Sequence, residues 1–134
     1  MTILQTPRLQ LGTWYRSDID LLRPIASDPE VMRFIGNGTP WEDPQIARFI
    51  QRQMEAYNRV GYCMWKLTDR RDHRLVGLCG LQPLAETGMV EIGWWLASDC
   101  WGRGLATEAA KAVVAFGFQR KRLPEIVAIA HPQN

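Results

Sequence analysis

The sequence predicts a mixed α/β fold, and three observations carry that prediction. Val90, Ile92, Trp94 and Leu96 are apolar at period two, and Leu105, Ala109, Ala112, Val113 and Phe116 follow at helical spacing, so a strand leads through a short loop into a long helix over 89–119. Two apolar runs, 62–68 and 75–81, flank the polar turn DRRDHR and read as an antiparallel hairpin. The run IVAIA at 126–130 comes after the helix and is short and β-branched, which suits a buried parallel strand beside the central one.

In chain order, residues 8–14 alternate weakly and read as a first strand. Ser17, with Asp20 three residues on, reads as a helix start. Ile19, Leu22 and Ile25 form the apolar side of that helix, and Pro24 makes it short or kinked. Asp28-Pro29 restarts a helix with Asp28 as cap, filled by Val31, Met32, Phe34 and Ile35. Residues 36–40 form a loop, and Asp43-Pro44 opens a longer helix with Ile46, Phe49, Ile50 and Tyr57 on one face. Gln45, Arg48, Arg52 and Arg59 form its solvated side. Gly77 and Gly80 mark a bulge or a close approach in the second hairpin strand. The expected order is β-α-α-β-β-β-α-β.

A chain of 134 residues predicts one domain, 1–134. A net charge of +2 gives no argument for a nucleic-acid partner. The longest apolar run falls well short of the roughly 20 residues that span a membrane, and the N-terminus lacks a secretory layout. Cys63, Cys79 and Cys100 are odd in number and far apart, which predicts free thiols in a reducing, cytoplasmic compartment. His73 and His131 stand too far apart to suggest a metal site, so none is expected.

Trp101, Gly102, Arg103, Gly104, Leu105 and Ala106 lie between the central strand and its helix. Backbone N–H groups at a helix start have no internal partner, and with the helix dipole they attract anions. Two glycines permit close approach to the backbone, and Arg103 adds charge. The same residues also suit an ordinary strand-to-helix turn. A Walker loop is excluded, since no Gly-Lys-Ser/Thr is present, and Thr107 stands where a dinucleotide fingerprint wants its third glycine.

The strand residues 91–96 and the run from Trp101 to Ala109 resemble motif A of the GNAT N-acetyltransferases, most nearly the RimJ/RimL branch, along nearly the whole chain from Thr6. Gly104 and Ala106 match the last two fixed positions of that motif, while Trp101 stands where many members carry Gln or Arg. The resemblance implies the acyl-CoA N-acyltransferase fold, with acetyl-CoA as co-substrate and a primary amine as acceptor. The acceptor classes it implies are a protein N-terminus or a small amine. It also implies that the diphosphate sits on the loop from Trp101 to Ala106, with Thr107 donating a hydroxyl or merely capping. The pantetheine arm would follow backbone groups of Trp94, Trp95 and Leu96 beside a bulge, with an N–H near Trp94 or Trp95 at the oxyanion.

Glu91 is the candidate base, with positioning and purely structural roles as alternatives. Glu108, in the first helical turn, reads as structural. Trp65 and one of Trp94 and Trp95 are expected in the core, the other as a wall of the acceptor channel. Cys100 has no suitable His partner for a nucleophilic role. Residues 131–134 resemble the approach to a cofactor-binding Asn, which places Asn134 among the cofactor positions, and the fold is expected to be C-terminally truncated there. A homodimer through an exposed edge at 126–130 is expected on the same ground. The rival from another class is a non-catalytic coenzyme A-binding or interaction module completed by a partner chain.

Overall fold

The structure is a computed structural model and describes residues 1–84 and 87–128. One six-stranded sheet runs in the order β1-β2-β3-β4-β5-β6, formed by β1 (Thr2–Gln5), β2 (Leu9–Gly12), β3 (Met64–Asp69), β4 (Leu75–Pro83), β5 (Val90–Leu96) and β6 (Val127–Ala128). The first five strands pair antiparallel, and β6 runs parallel to β5. That parallel pair is joined by the helix α4 (Leu105–Gln119), as a parallel neighbour requires a crossover. The sheet is the mixed α/β sheet that the sequence predicts.

The expected element order needs two corrections. A strand, β1, precedes the one expected: the chain reverses at Thr6-Pro7, where Thr6 N donates to Leu9 O (2.9 Å). Strand β1 lies at the sheet edge with mixed burial, where alternation in sequence is weak. Three helices precede β3, matching the three starts read near Ser17, Asp28 and Asp43 and one more than the expected order counts: α1 (Ile19–Ala26), α2 (Pro29–Met32) and α3 (Asp43–Val60). Asp28, ahead of Pro29, is extended at ψ 117 because a proline disfavours helical geometry in the residue before it, so α1 and α2 are separate.

The start of α1 also differs from expectation. Instead of a Ser17 cap, a 3-10 turn at Arg16–Asp18 leads into the helix. Asp18 Oδ2 accepts from Tyr15 N (2.7 Å) and from Lys66 Nζ (2.8 Å), which ties the turn to β3. Pro24 lies inside an eight-residue α1. Helix α3 opens at Asp43 with Glu42 N donating to Gln45 Oε1 (2.9 Å) and ends on Gly61 at φ 81. Its Ile46, Phe49 and Ile50 are buried.

Helices α1–α3 cover one face of the sheet and α4 the other. On the first face Trp95 stacks on Phe49 of α3, ring centroids 5.3 Å apart. On the second, the fully buried Trp65 meets Phe116 of α4 edge-on at 4.9 Å. Gly77 and Gly80 mark close approaches, since a Cβ there would collide with the carbonyl oxygens of Trp95 and Cys63. A register shift beside Gly77 makes the bulge on the β3 side.

The bulge expected in β5 is not present in its pairing with β4, which is unbroken from Val90 to Leu96. Among the described residues, β6 pairs with β5 at Glu91 and Ile92. Residues 129–134, including Asn134 and the last two residues of the expected dimer edge, lie outside the described residues. Among the described residues, no helix is long and apolar enough to cross a membrane.

Candidate functional site

After β5 the chain makes a 3-10 turn at Ser98–Cys100 and then a loop into α4. Three contacts fix the turn. Ala97 N donates to Val76 O (2.8 Å), Arg74 grips Asp99 with two nitrogens (2.9 and 2.8 Å), and Ser98 Oγ donates to Asp28 Oδ2 (2.8 Å). The Arg74 hydrogen bond holds the Asp99 carboxyl below its usual range. Gly102 and Gly104 stand at φ 76 and 74, a region that glycine enters without steric cost. Gly104 is the N-cap of α4, and no side chain caps the helix, so the first-turn N–H groups remain available.

That helix start opens on a cleft of about 420 Å³, within the range of small-molecule sites. Trp94, Trp95 and Leu96 form one side, and Gly102, Gly104, Leu105, Ala106 and Thr107 line the loop end together with Trp101. The facing wall is Glu30 and Val31 of α2 with Phe34 and Ile35 beyond it. The Asp28–Ser98 bond across the fold ties that wall to the turn after β5.

The structure gathers nine of the expected cofactor positions at this cleft, and places two described candidates away from it. Arg103 lines a smaller pocket of about 250 Å³ on the other side of the loop, with Arg8, Arg70 and Arg71. Glu91 is half-buried on the same β5 face as Trp95, its Oε1 accepting from Gln82 Nε2 (2.7 Å), and does not line the cleft. Alternation along the strand sends Trp94 and Trp95 to opposite faces. Trp95 packs on Trp41 and Phe49, whereas Trp94 is 44% exposed over α4. Trp101 Nε1 donates to Leu96 O (3.0 Å), which folds the loop back on the strand end.

Cys100 lines the cleft but is buried, and burial raises its thiol pKa. Burial likewise pushes Cys63 and Cys79 up to about 12. All three are free thiols. Among the described residues no cluster of His, Cys, Asp or Glu could hold a metal. Glu108 does more than sit in a helical turn. It accepts from Thr6 Oγ1 (2.5 Å), Arg8 N (2.9 Å) and Arg8 Nε (2.7 Å), residues about a hundred positions earlier.

The residues fit acetyl-CoA. Gly102 has open space where a Cβ would stand, the helix start carries uncapped donors for a diphosphate, and the β5 residues Trp94 to Leu96 line the same cleft.

The fold and site together define a class: a mixed-sheet α/β unit whose central strand passes through a glycine turn into an uncapped helix, both lining one cleft. The chain belongs to the GNAT acetyltransferase family, whose domain model, described as acetyltransferase (GNAT) domain, matches residues 8–134. Membership brings the class of activity, acetyl-CoA-dependent N-acetyl transfer. An uncharacterized N-acetyltransferase p20 of Bacillus licheniformis is 32% identical over 136 residues, covering 100% of this chain and 76% of that protein. The crystal structure of a GNAT-family acetyltransferase from Bacillus anthracis superposes with a TM-score of 0.85 at 25% identity, over 100% of this chain and 76% of that one. RimL, a ribosomal L7/L12 alpha-N-protein acetyltransferase in complex with coenzyme A, shares the fold at 16% identity, with a TM-score of 0.77 over 96% and 73% of the two chains.

Proposed function

We propose that the chain transfers the acetyl group of acetyl-CoA to a primary amine by direct attack, in the manner of the RimJ/RimL branch. The acceptor is a protein N-terminus or a small amine. The observation that carries this reading is the convergence on one cleft of the glycine turn, the uncapped start of α4 and the β5 residues Trp94 to Leu96.

In this reading the first-turn amides of α4 and the Thr107 hydroxyl hold the diphosphate, and backbone groups of Trp94 to Leu96 receive the pantetheine arm. Bound acetyl-CoA supplies the thioester. A β5 N–H near Trp94 or Trp95 polarises the carbonyl. Glu91 holds or deprotonates the acceptor ammonium through water. Its one described side-chain partner, Gln82, is neutral, so no paired cation cancels its charge there. Direct attack is supported over an acyl-enzyme because burial disfavours the Cys100 thiolate.

Thermal unfolding with coenzyme A or NAD, followed by thiol release from acetyl-CoA with a panel of amines, tests the proposal. Coenzyme A at a hundredfold its Kd should add about 2.7 kcal/mol of stability, NAD should add none, and thiol release should require an amine. Stabilisation by coenzyme A without amine-dependent release would point to the non-catalytic binding module. No response to coenzyme A would refute both.

A further inference from the structure

We infer that Arg8, working with Thr6 and Glu108, is a positioning latch for the glycine loop, setting the loop peptide and neutralising the acid beside it so that the loop can receive a diphosphate. This rests on the seating of coenzyme A proposed above.

Glu108 is the one acidic residue in the first turn of α4. An acid there favours the helix, because its charge faces the positive end of the dipole. It also opposes any anion seated on the same turn. Here both carboxylate oxygens are turned toward the N-terminal segment. Oε2 accepts from Thr6 Oγ1 and Arg8 N, and Oε1 from Arg8 Nε. The side chain is 17% exposed. Burial pushes its carboxyl up, but the bonds from Thr6 and Arg8 and the Arg8 charge outweigh that and hold it below the usual range. The acid is therefore ionised and matched by a cation.

The same guanidinium reaches the loop. Arg8 Nη1 donates to Arg103 O (2.7 Å), and its other terminal nitrogen lies 3.5 Å from where a Gly104 Cβ would stand. A trans peptide is planar, so fixing the Arg103 carbonyl toward Arg8 points the Gly104 N–H away from it. Gly104 lines the cleft and Arg8 does not. The base of the latch is firm. Leu9 N donates to Thr6 Oγ1 (3.0 Å), Arg70 N to Arg8 O (2.9 Å) and Arg70 Nη1 to Thr6 O (2.9 Å). The latch thus transmits the position of the β2 start and the β3–β4 turn to a loop that carries two glycines.

Calorimetric titration with coenzyme A and NMR titration with pantetheine, which lacks the phosphates, test this in Arg8→Gln, Arg8→Lys, Glu108→Gln and the double variant Arg8→Gln/Glu108→Gln. Losing a charge-assisted contact and leaving a lone carboxylate should weaken coenzyme A binding by about tenfold in Arg8→Gln, with pantetheine unchanged. Arg8→Lys, which keeps the charge but not the fork, should fall between. The double variant should bind coenzyme A more tightly than Arg8→Gln, because the stranded carboxylate is gone. In the free protein the Gly104 amide should exchange faster in Arg8→Gln while those of α3 do not. Unchanged coenzyme A affinity in Arg8→Gln, or equal losses for the two ligands, would overturn the latch. An unmodified chain that does not prefer coenzyme A to pantetheine would instead refute the loop as the diphosphate seat, and the latch with it.

Discussion

A methyl group at Gly77 tests how the sheet supports the site. Gly77 lies opposite Leu96, the end of β5 that lines the cleft. The Cβ of Gly77→Ala would overlap the Trp95 carbonyl oxygen and lie 3.0 Å from Leu96 Cα and the Trp95 carbonyl carbon, all backbone atoms, whereas ordinary contact begins near 3.4 Å. Strand β5 must therefore shift, stretching the β4–β5 ladder and the neighbouring bond from Ala97 N to Val76 O. Two weakened backbone bonds cost about 1 kcal/mol each, and overpacking adds about 1–3 kcal/mol. Replacing a strand glycine returns roughly 0.5–1 kcal/mol. The net loss is about 2–4 kcal/mol, a large part of the roughly 5–15 kcal/mol typical of a domain. Urea unfolding should show that loss, and calorimetry at a temperature where the variant remains folded should show weaker coenzyme A binding. Gly102→Ala is the control: no atom lies within 4 Å of its Cβ, so it should cost only the roughly 1 kcal/mol of left-handed backbone strain. Gly77→Ala within about 0.5 kcal/mol of the unmodified chain, with unchanged coenzyme A affinity, would refute the reasoning.

Glu91→Gln should lower turnover by roughly tenfold or more and flatten the acidic limb of the pH–rate profile; an unchanged rate and profile would leave Glu91 structural. Because Arg103 lines the pocket on the other side of the loop and not the cleft, Arg103→Glu should weaken coenzyme A binding by less than the roughly tenfold expected of Arg8→Gln, and a larger calorimetric loss would place its side chain at the diphosphate. The Glu108 carboxyl sits below its ordinary 4.5 in the folded chain, so its stabilisation is present above 4.5 and lost as pH falls through the folded value. Melting temperature should therefore decline more steeply below pH 4.5 in the unmodified chain than in Glu108→Gln, and parallel declines would contradict the assignment.

Local periodicity determined much of this protein. The change from period two to helical spacing set out β5 and α4, and the glycines of the turn between them take the positive φ expected of such a loop. These features depend on residues within a few positions of one another, so a linear reading reaches them. Strand β1 escaped it because an edge strand with mixed burial carries little alternation. Alternation separated Trp94 from Trp95 but could not say which face would hold α3 and which α4; only the packing of Phe49 and Trp41 decided that. The Gln82 partner of Glu91 and the Arg8–Glu108 ion pair were settled by tertiary structure alone. Each depends on a hydrogen bond or contact between segments that the sheet order brings together, and a side chain's partner is chosen by that proximity and not by its neighbours in sequence.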